Sequence, residues 1–142
     1  MLMRELSIIT GAHTIGTAAC QFFRYRLYNF TSSGPDSTID PNFLSQLQAL
    51  CHSNGDGTND VGRFDLSFFN NLENDKGVLE SDQKLTSDAS TKTYVDQYTG
   101  LIGGLLSAFR VEFARSMVKM SNIGVLTGTQ GEIRKVCSAF NS

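Results

Sequence analysis

The sequence predicts an all-α protein, and three observations carry that reading. Apolar residues recur at helical spacing from about Leu105 to Met120, Asp40-Pro41 opens a second periodic run, and strand signals are few. A chain of 142 residues is long enough for one ordinary domain with one core, so the whole span 1–142 is read as one unit.

Taken in order, Glu5–His13 carries Leu6, Ile8, Ile9 and Ala12 in a compact apolar run that ends near Gly16. Thr31–Thr38 is rich in Ser, Gly and Pro and reads as irregular. Asp40 offers an oxygen to an orphan N–H and Pro41 fits a first helical turn. Phe43, Leu44, Leu47 and Leu50 then follow helical spacing as far as Cys51. The stretch 53–62 sets Asn, Gly and Asp in close succession and reads as a flexible loop.

Asp65 is placed to cap a short helix carrying Phe68, Phe69 and Leu72, and Ser81 to cap another through Leu85. One short hairpin is expected near Gly77–Leu79. Thr91–Tyr98 is a helix with Tyr94, Val95 and Tyr98 on one side. In the longest helix Leu105, Phe109, Phe113, Met117 and Met120 form a stripe that Leu106, Ala114 and Val118 widen, while Arg110, Arg115 and Lys119 take other faces. Thr129-Gln130-Gly131-Glu132 has the form of a capping box and predicts a last helix through Ile133 and Val136.

The totals exclude several functions. Lys and Arg number 12 against 14 Asp and Glu, and they form no basic stripe, so no nucleic-acid partner is expected. No apolar run reaches membrane-spanning length. Leu6–Ile9 is too short for the core of a signal peptide, so the chain as written encodes no route into secretion. Three cysteines, Cys20, Cys51 and Cys137, fit neither a closed disulfide framework nor a four-ligand zinc site. They are buried or unpaired thiols, or one bridge and one thiol without a partner. Asn29-Phe30-Thr31 is a glycosylation sequon, which has meaning only in a secreted chain.

Only His13 and His52 are available for histidine chemistry. The small residues Gly11 and Ala12 would let something bulky approach the helix end at His13. On local features alone a satisfied core histidine is the leading reading there. His52 borders the polar loop and is expected in solvent. Spacing supports no Ser-His-Asp or Cys-His arrangement and no phosphate loop. Asp56–Asp60 and Asp65 would suit a hard cation but lack the EF-hand pattern, so turn and capping roles come first.

The run Glu5-Leu6-Ser7-Ile8-Ile9-Thr10-Gly11-Ala12-His13-Thr14-Ile15 resembles the proximal haem-ligand signature of plant class III, secretory, haem peroxidases. Further blocks follow in family order. They are Arg26-Leu27-Tyr28-Asn29-Phe30, Asp40-Pro41, Leu50-Cys51, Arg63-Phe64-Asp65, Gly77 to Gln83, Met117 to Met120, Leu126-Thr127-Gly128 and Gly131 to Cys137. They cover nearly the whole chain and fall in the family's C-terminal, proximal half, so 1–142 is expected to be a partial peroxidase domain.

The resemblance implies roles. His13 would be the axial ligand of haem b iron, with Asp82 accepting a hydrogen bond from its other nitrogen. That partner would fix the tautomer and raise the ligand's basicity. Thr14 and Asp65 would be ligands of a proximal calcium ion. Cys20 and Cys51 would form a disulfide, and Cys137 would remain unpaired because its family partner lies upstream. Asn29 becomes a glycosylation candidate. Hydrogen peroxide and phenolic donors would be the substrates, and the location would be extracellular or vacuolar.

Two departures qualify those roles. The distal histidine and arginine that cleave peroxide belong to the family's upstream half, so little or no peroxidase activity is expected of these residues alone. A short stretch is also missing between Asp60 and Arg63, where the family completes its calcium site, so any calcium should bind weakly. Apolar side chains that would pack on the upstream half are expected to face water and to promote self-association. The competing reading is a non-catalytic haem-binding or interaction protein.

Overall fold

The computed structural model describes residues 3–51, 58–62, 65–99 and 105–141; for 58–62 and Leu105 only the backbone is described. His52, Arg63 and Phe64 lie outside the described residues. The architecture is helical. Its elements are α1 (Met3–Thr10), β1 (Ile15–Ala19), α2 (Arg24–Tyr28), α3 (Pro41–Leu50), β2 (Thr58–Gly62), α4 (Ser67–Glu73), α5 (Glu80–Gln83), α6 (Ala89–Tyr98) and α7 (Leu105–Ser121). Short 3₁₀ turns cover Gly11–Thr14, Cys20–Phe22 and Lys84–Thr86.

The helix starts follow local chemistry. Asp40 accepts from the Phe43 N–H at 2.9 Å and Pro41 occupies the first turn of α3, as the sequence predicts. Asp88 accepts from the Ser90 N–H at 2.8 Å and starts α6 two residues before the predicted Thr91. Asp65 accepts from the Ser67 N–H at 2.8 Å, so it ties down the entry to α4.

Two apolar clusters form. One joins Ile8, Phe68, Phe69, Leu72, Leu85, Val95, Tyr98 and Phe109. Its rings meet edge to face, Phe69 lying 5.3 Å from Phe109 and 5.2 Å from Phe68. The other joins Phe23, Leu27, Ile39 and Leu47 around a Cys20–Cys51 disulfide. The bridge spans a sequence separation of 31, which stabilises the fold by about 3–4 kcal/mol on a chain-entropy account.

Gly11 sits where these packing demands are tightest. A Cβ there would meet the Phe109 ring at 2.8 Å and the Phe69 ring at 3.0 Å. Both rings are fully buried and have nowhere to move. Gly11→Ala is therefore expected to cost about 1–3 kcal/mol in urea unfolding, the usual range for overpacking. An unchanged midpoint would show that the two rings can yield.

Several expectations need correction. No hairpin forms at Gly77–Leu79. The Gly77 N–H bonds the Gln83 side chain at 2.8 Å, and the Gly77 and Val78 carbonyls accept from Arg26 at 2.6 and 2.7 Å, so those groups are not left for a ladder. The strand pair is instead β1 with β2, antiparallel, with Ile15 opposite Gly62 and Ala19 opposite Thr58. Half of the span read as a loop, 58–62, is thus a strand; 53–57 lie outside the described residues. Ser81 lies inside α5 rather than capping it, and its hydroxyl donates to Asp82 at 3.3 Å.

The predicted last helix is also not formed. Residues 122–141 run as turns and bends, exposed throughout. Glu132 accepts from the Asn141 N–H at 3.1 Å instead of closing a capping box. A short amphipathic helix needs a surface to pack on, and among the described residues Ile133, Val136 and Phe140 remain exposed. The α7 stripe is likewise buried only at its start. Phe109 is buried and Leu106 and Phe113 are half-buried, whereas Met117, Val118 and Met120 face solvent.

Candidate functional site

The site grows from the end of α1. Thr10 closes the helix, with its hydroxyl bonded to the Ser7 carbonyl at 2.9 Å. The chain then tightens into the Gly11–Thr14 turn. Gly16, the second residue of β1, sits at φ 93°, a conformation that few side chains tolerate. His13 is therefore presented from a rigid corner, edge-on to Phe68 at 6.3 Å.

Asp82 reaches the same corner from α5. Its oxygens lie 3.0 and 2.9 Å from His13 Nδ1, although 69 residues separate the two in the chain. The side-chain exposure is 48% for His13 and 6% for Asp82, so a buried carboxylate grips one edge of a half-exposed ring. Asp82 accepts at Nδ1, which leaves Nε2 as the nitrogen able to bind a metal.

The bond from Asp82 holds the His13 pKa above its ordinary 6.5, with the carboxylate's charge adding to it and partial burial working against it. A raised folded-state pKa means that the pair's contribution is fully present below pH 6.5 and is lost as pH rises through the higher value. Wild type should therefore hold its largest advantage in urea midpoint over Asp82→Asn near about pH 6, shrinking by about pH 9. Solvent at the exposed ring limits the effect to under about 1 kcal/mol. An advantage that grows with pH would contradict this assignment.

His13 and Asp82 open on a cavity of about 460 Å³. Its walls are Ile15, Gly16, Thr17 and Ala18 from β1, Phe22 from the following turn, and Val78 and Leu79 from the segment before α5. The lining is mostly apolar. A flat aromatic macrocycle facing Nε2 fits this chemistry: one imidazole donor backed by a carboxylate, with hydrocarbon beside it. A larger hollow of about 530 Å³ lies between α1 and α7, but its charged residues are engaged with one another, Glu112 serving both Arg4 and Arg115. Arg4 meets Glu112 at 2.7 Å and Lys119 meets Glu5. Nothing there resembles a ligand set.

Thr14 and Asp65, which the family resemblance pairs, also come together. Thr14 Oγ1 donates to Asp65 at 3.2 Å and lies 3.2 Å from Ser67 Oγ. Ser67 is the member the sequence reading missed; its spacing of two from Asp65 was the available signal. Among the described residues, no group of three or more His, Cys, Asp or Glu side chains gathers at one point. Asn29 is exposed just beyond α2, and Cys137 is free and exposed. Among the described residues, no helix is long and apolar enough to cross a membrane.

The segment carrying Val78 and Leu79 is held by Arg26, whose role the sequence reading also missed. Arg26 is fully buried. Its Nε donates to Asp36 at 2.8 Å and its Nη1 to the Gly77 and Val78 carbonyls. Burial pushes the Asp36 carboxyl up, but bonds from Thr38 and Arg26 outweigh it and hold the group below its ordinary 3.8.

The peroxidase family model matches residues 1–100. The chain is 58% identical over 146 aligned residues to Peroxidase N1 of Nicotiana tabacum, with 97% of this chain and 44% of that protein covered. It is 52% identical to Peroxidase 71 of Arabidopsis thaliana, covering 97% of this chain and 43% of that one. Peroxidase 25 of the same plant is 51% identical, at 96% and 44% coverage. The chain thus spans less than half the length of these relatives.

Proposed function

The chain belongs to the plant class III peroxidase family, and from that premise we propose that His13 is the axial ligand of a haem b group, with Asp82 as its positioning partner. The observation that carries the proposal is the pair of 3.0 and 2.9 Å contacts between His13 Nδ1 and the buried Asp82 carboxylate. When bound, the haem iron supplies the redox couple by which electrons from phenolic donors reach hydrogen peroxide.

The chain's own residues do the rest. Asp82 fixes the tautomer of His13 and strengthens Nε2 as a donor. Ile15, Ala18, Phe22, Val78 and Leu79 offer the macrocycle an apolar face. Calcium fits less well. One carboxylate and two hydroxyls already bonded to one another fall short of the six to eight oxygens calcium takes, so weak binding at best is proposed for Thr14 and Asp65. A location outside the cytosol suits the disulfide and the exposed sequon at Asn29. The exposed Ile123, Leu126, Ile133, Val136 and Phe140 are the residues through which the chain would self-associate.

A second reading, haem binding without turnover by these 142 residues, is favoured by the 44% coverage of the relatives. Haemin titration tests the first claim. The chain should give a histidine-ligated Soret band that His13→Ala lacks, and identical spectra would sink the assignment. Peroxide-dependent oxidation of a phenol by the loaded chain then separates turnover from binding alone.

A further inference from the structure

Between α2 and the start of α5, Tyr25 Oη donates to Glu80 Oε2 at 2.6 Å. Tyr25 is 44% exposed, and its ring stacks on Phe30 at 6.1 Å and 28°. Glu80 is fixed from its other oxygen by Lys84. The pair adjoins the proposed haem site in sequence on both of its segments: Phe22, three residues before Tyr25, and Leu79, next to Glu80, line the cavity. Nothing in the roles assigned to His13 and Asp82 uses it.

We propose that Tyr25 is a surface site of one-electron oxidation, with Glu80 as the base that receives its phenolic proton. The function deepens the haem reading and rests on it for the physiological oxidant, a peroxide-oxidised haem held at His13. In the step, the Tyr25 phenol gives one electron to the oxidant and its proton to the Glu80 carboxylate, leaving a neutral phenoxyl radical. A phenolic donor at the surface then returns one electron to the radical. The proton on Glu80 goes back to the Tyr25 oxygen, and the donor releases its own proton to water.

The geometry suits that chemistry. Loss of an electron from a phenol makes it a strong acid, so a base already in hydrogen-bond contact removes the need for a separate proton step. The bond to Glu80 raises the Tyr25 pKa, so the phenol stays protonated at neutral pH; Lys84, then Tyr25, lower the Glu80 pKa, so the carboxylate stays ionised. The other tyrosines are poorer candidates, Tyr94 being half-buried on α6 whereas Tyr25 is exposed. Tyr28 spends its hydroxyl on the Gln48 and Cys51 carbonyls, and Tyr98 is buried.

The test needs no haem, so it stands apart from the haemin titration. The chain, with Cys137 alkylated, is mixed with hexachloroiridate(IV). Bleaching of the oxidant is followed by stopped flow and the radical by freeze-quench electron paramagnetic resonance. Wild type should give a tyrosyl signal that Tyr25→Phe loses and a Tyr94→Phe control keeps. Glu80→Gln keeps the hydrogen bond but not the base, and should slow the reaction about tenfold or more. Adding guaiacol should shorten the life of the wild-type radical. A Tyr25→Phe chain that bleaches the oxidant at the wild-type rate, or a Glu80→Gln chain equal to wild type, would overturn the proposal.

Discussion

Arg26→Met is expected to destabilise the chain by about 3–5 kcal/mol, the cost of leaving a buried charge without its partner. Arg26 and Asp36 have side-chain exposures of 0% and 1%, so water cannot take over. The variant also strips donors from the Gly77 and Val78 carbonyls. For a chain of this size the thermal midpoint should drop by roughly 10–20 °C. Loss of shape and loss of charge give different double mutants. Arg26→Met/Asp36→Leu removes both charges and should recover part of the loss, whereas a pure packing defect would deepen. Because the folded-state pKa of Asp36 is depressed, the pair's support is present above pH 3.8 and is lost as pH falls through the lower value. A single-variant cost under about 1 kcal/mol would mean that Arg26 does not hold this segment.

The second large effect concerns haem affinity. His13→Ala removes the only proposed iron donor, and the histidine-ligated Soret band should vanish. Asp82→Asn keeps the size of the side chain but replaces the carboxylate, so Nε2 becomes a weaker donor. Loss of such an outer partner typically costs 10–100-fold in metal affinity, and about that is expected for haemin. Binding should also weaken below the raised pKa of His13, because the proton competes with iron for the ring. If Asp82→Asn bound haemin as tightly as wild type, with the same spectrum, the carboxylate would be a packing partner and not a tuner of the ligand.

These two effects are linked through the backbone. Arg26 clamps Gly77 and Val78, Leu79 follows as the residue before α5, and Asp82 sits three residues further on. Loosening the clamp should therefore let Asp82 drift from His13. A weakened haemin affinity in any Arg26→Met protein that remains folded would register that coupling.

Much of this was legible in the sequence. Local chemistry marked Asp40-Pro41, Asp65 and the α6 and α7 periodicities, and each formed an element close to where it was read. Family resemblance placed His13 beside Asp82 and Cys20 beside Cys51, and the structure brings both pairs together. The misreadings share a cause. The capping box at Thr129 and the apolar stripe at the end of α7 are sound local signals that meet no tertiary surface among the described residues, so Val118, Ile133 and Phe140 stay exposed. Gly77–Leu79 looked like a turn, but its backbone groups were claimed by Arg26 and Gln83.

The sequence by itself determined the helical class and the start of α3, and it singled out His13 as the proposed ligand. Those depend on neighbours within a turn or two, or on motif order. Only the tertiary structure decided that Thr58–Gly62 pairs with Ile15–Ala19, that Arg26 is a buried clamp, and that Tyr25 meets Glu80. Those contacts join residues 10 to 55 positions apart along the chain, at angles and depths that no local pattern encodes. Burial then sets what each is worth, because the same ion pair is strong in a dry interior and weak in water.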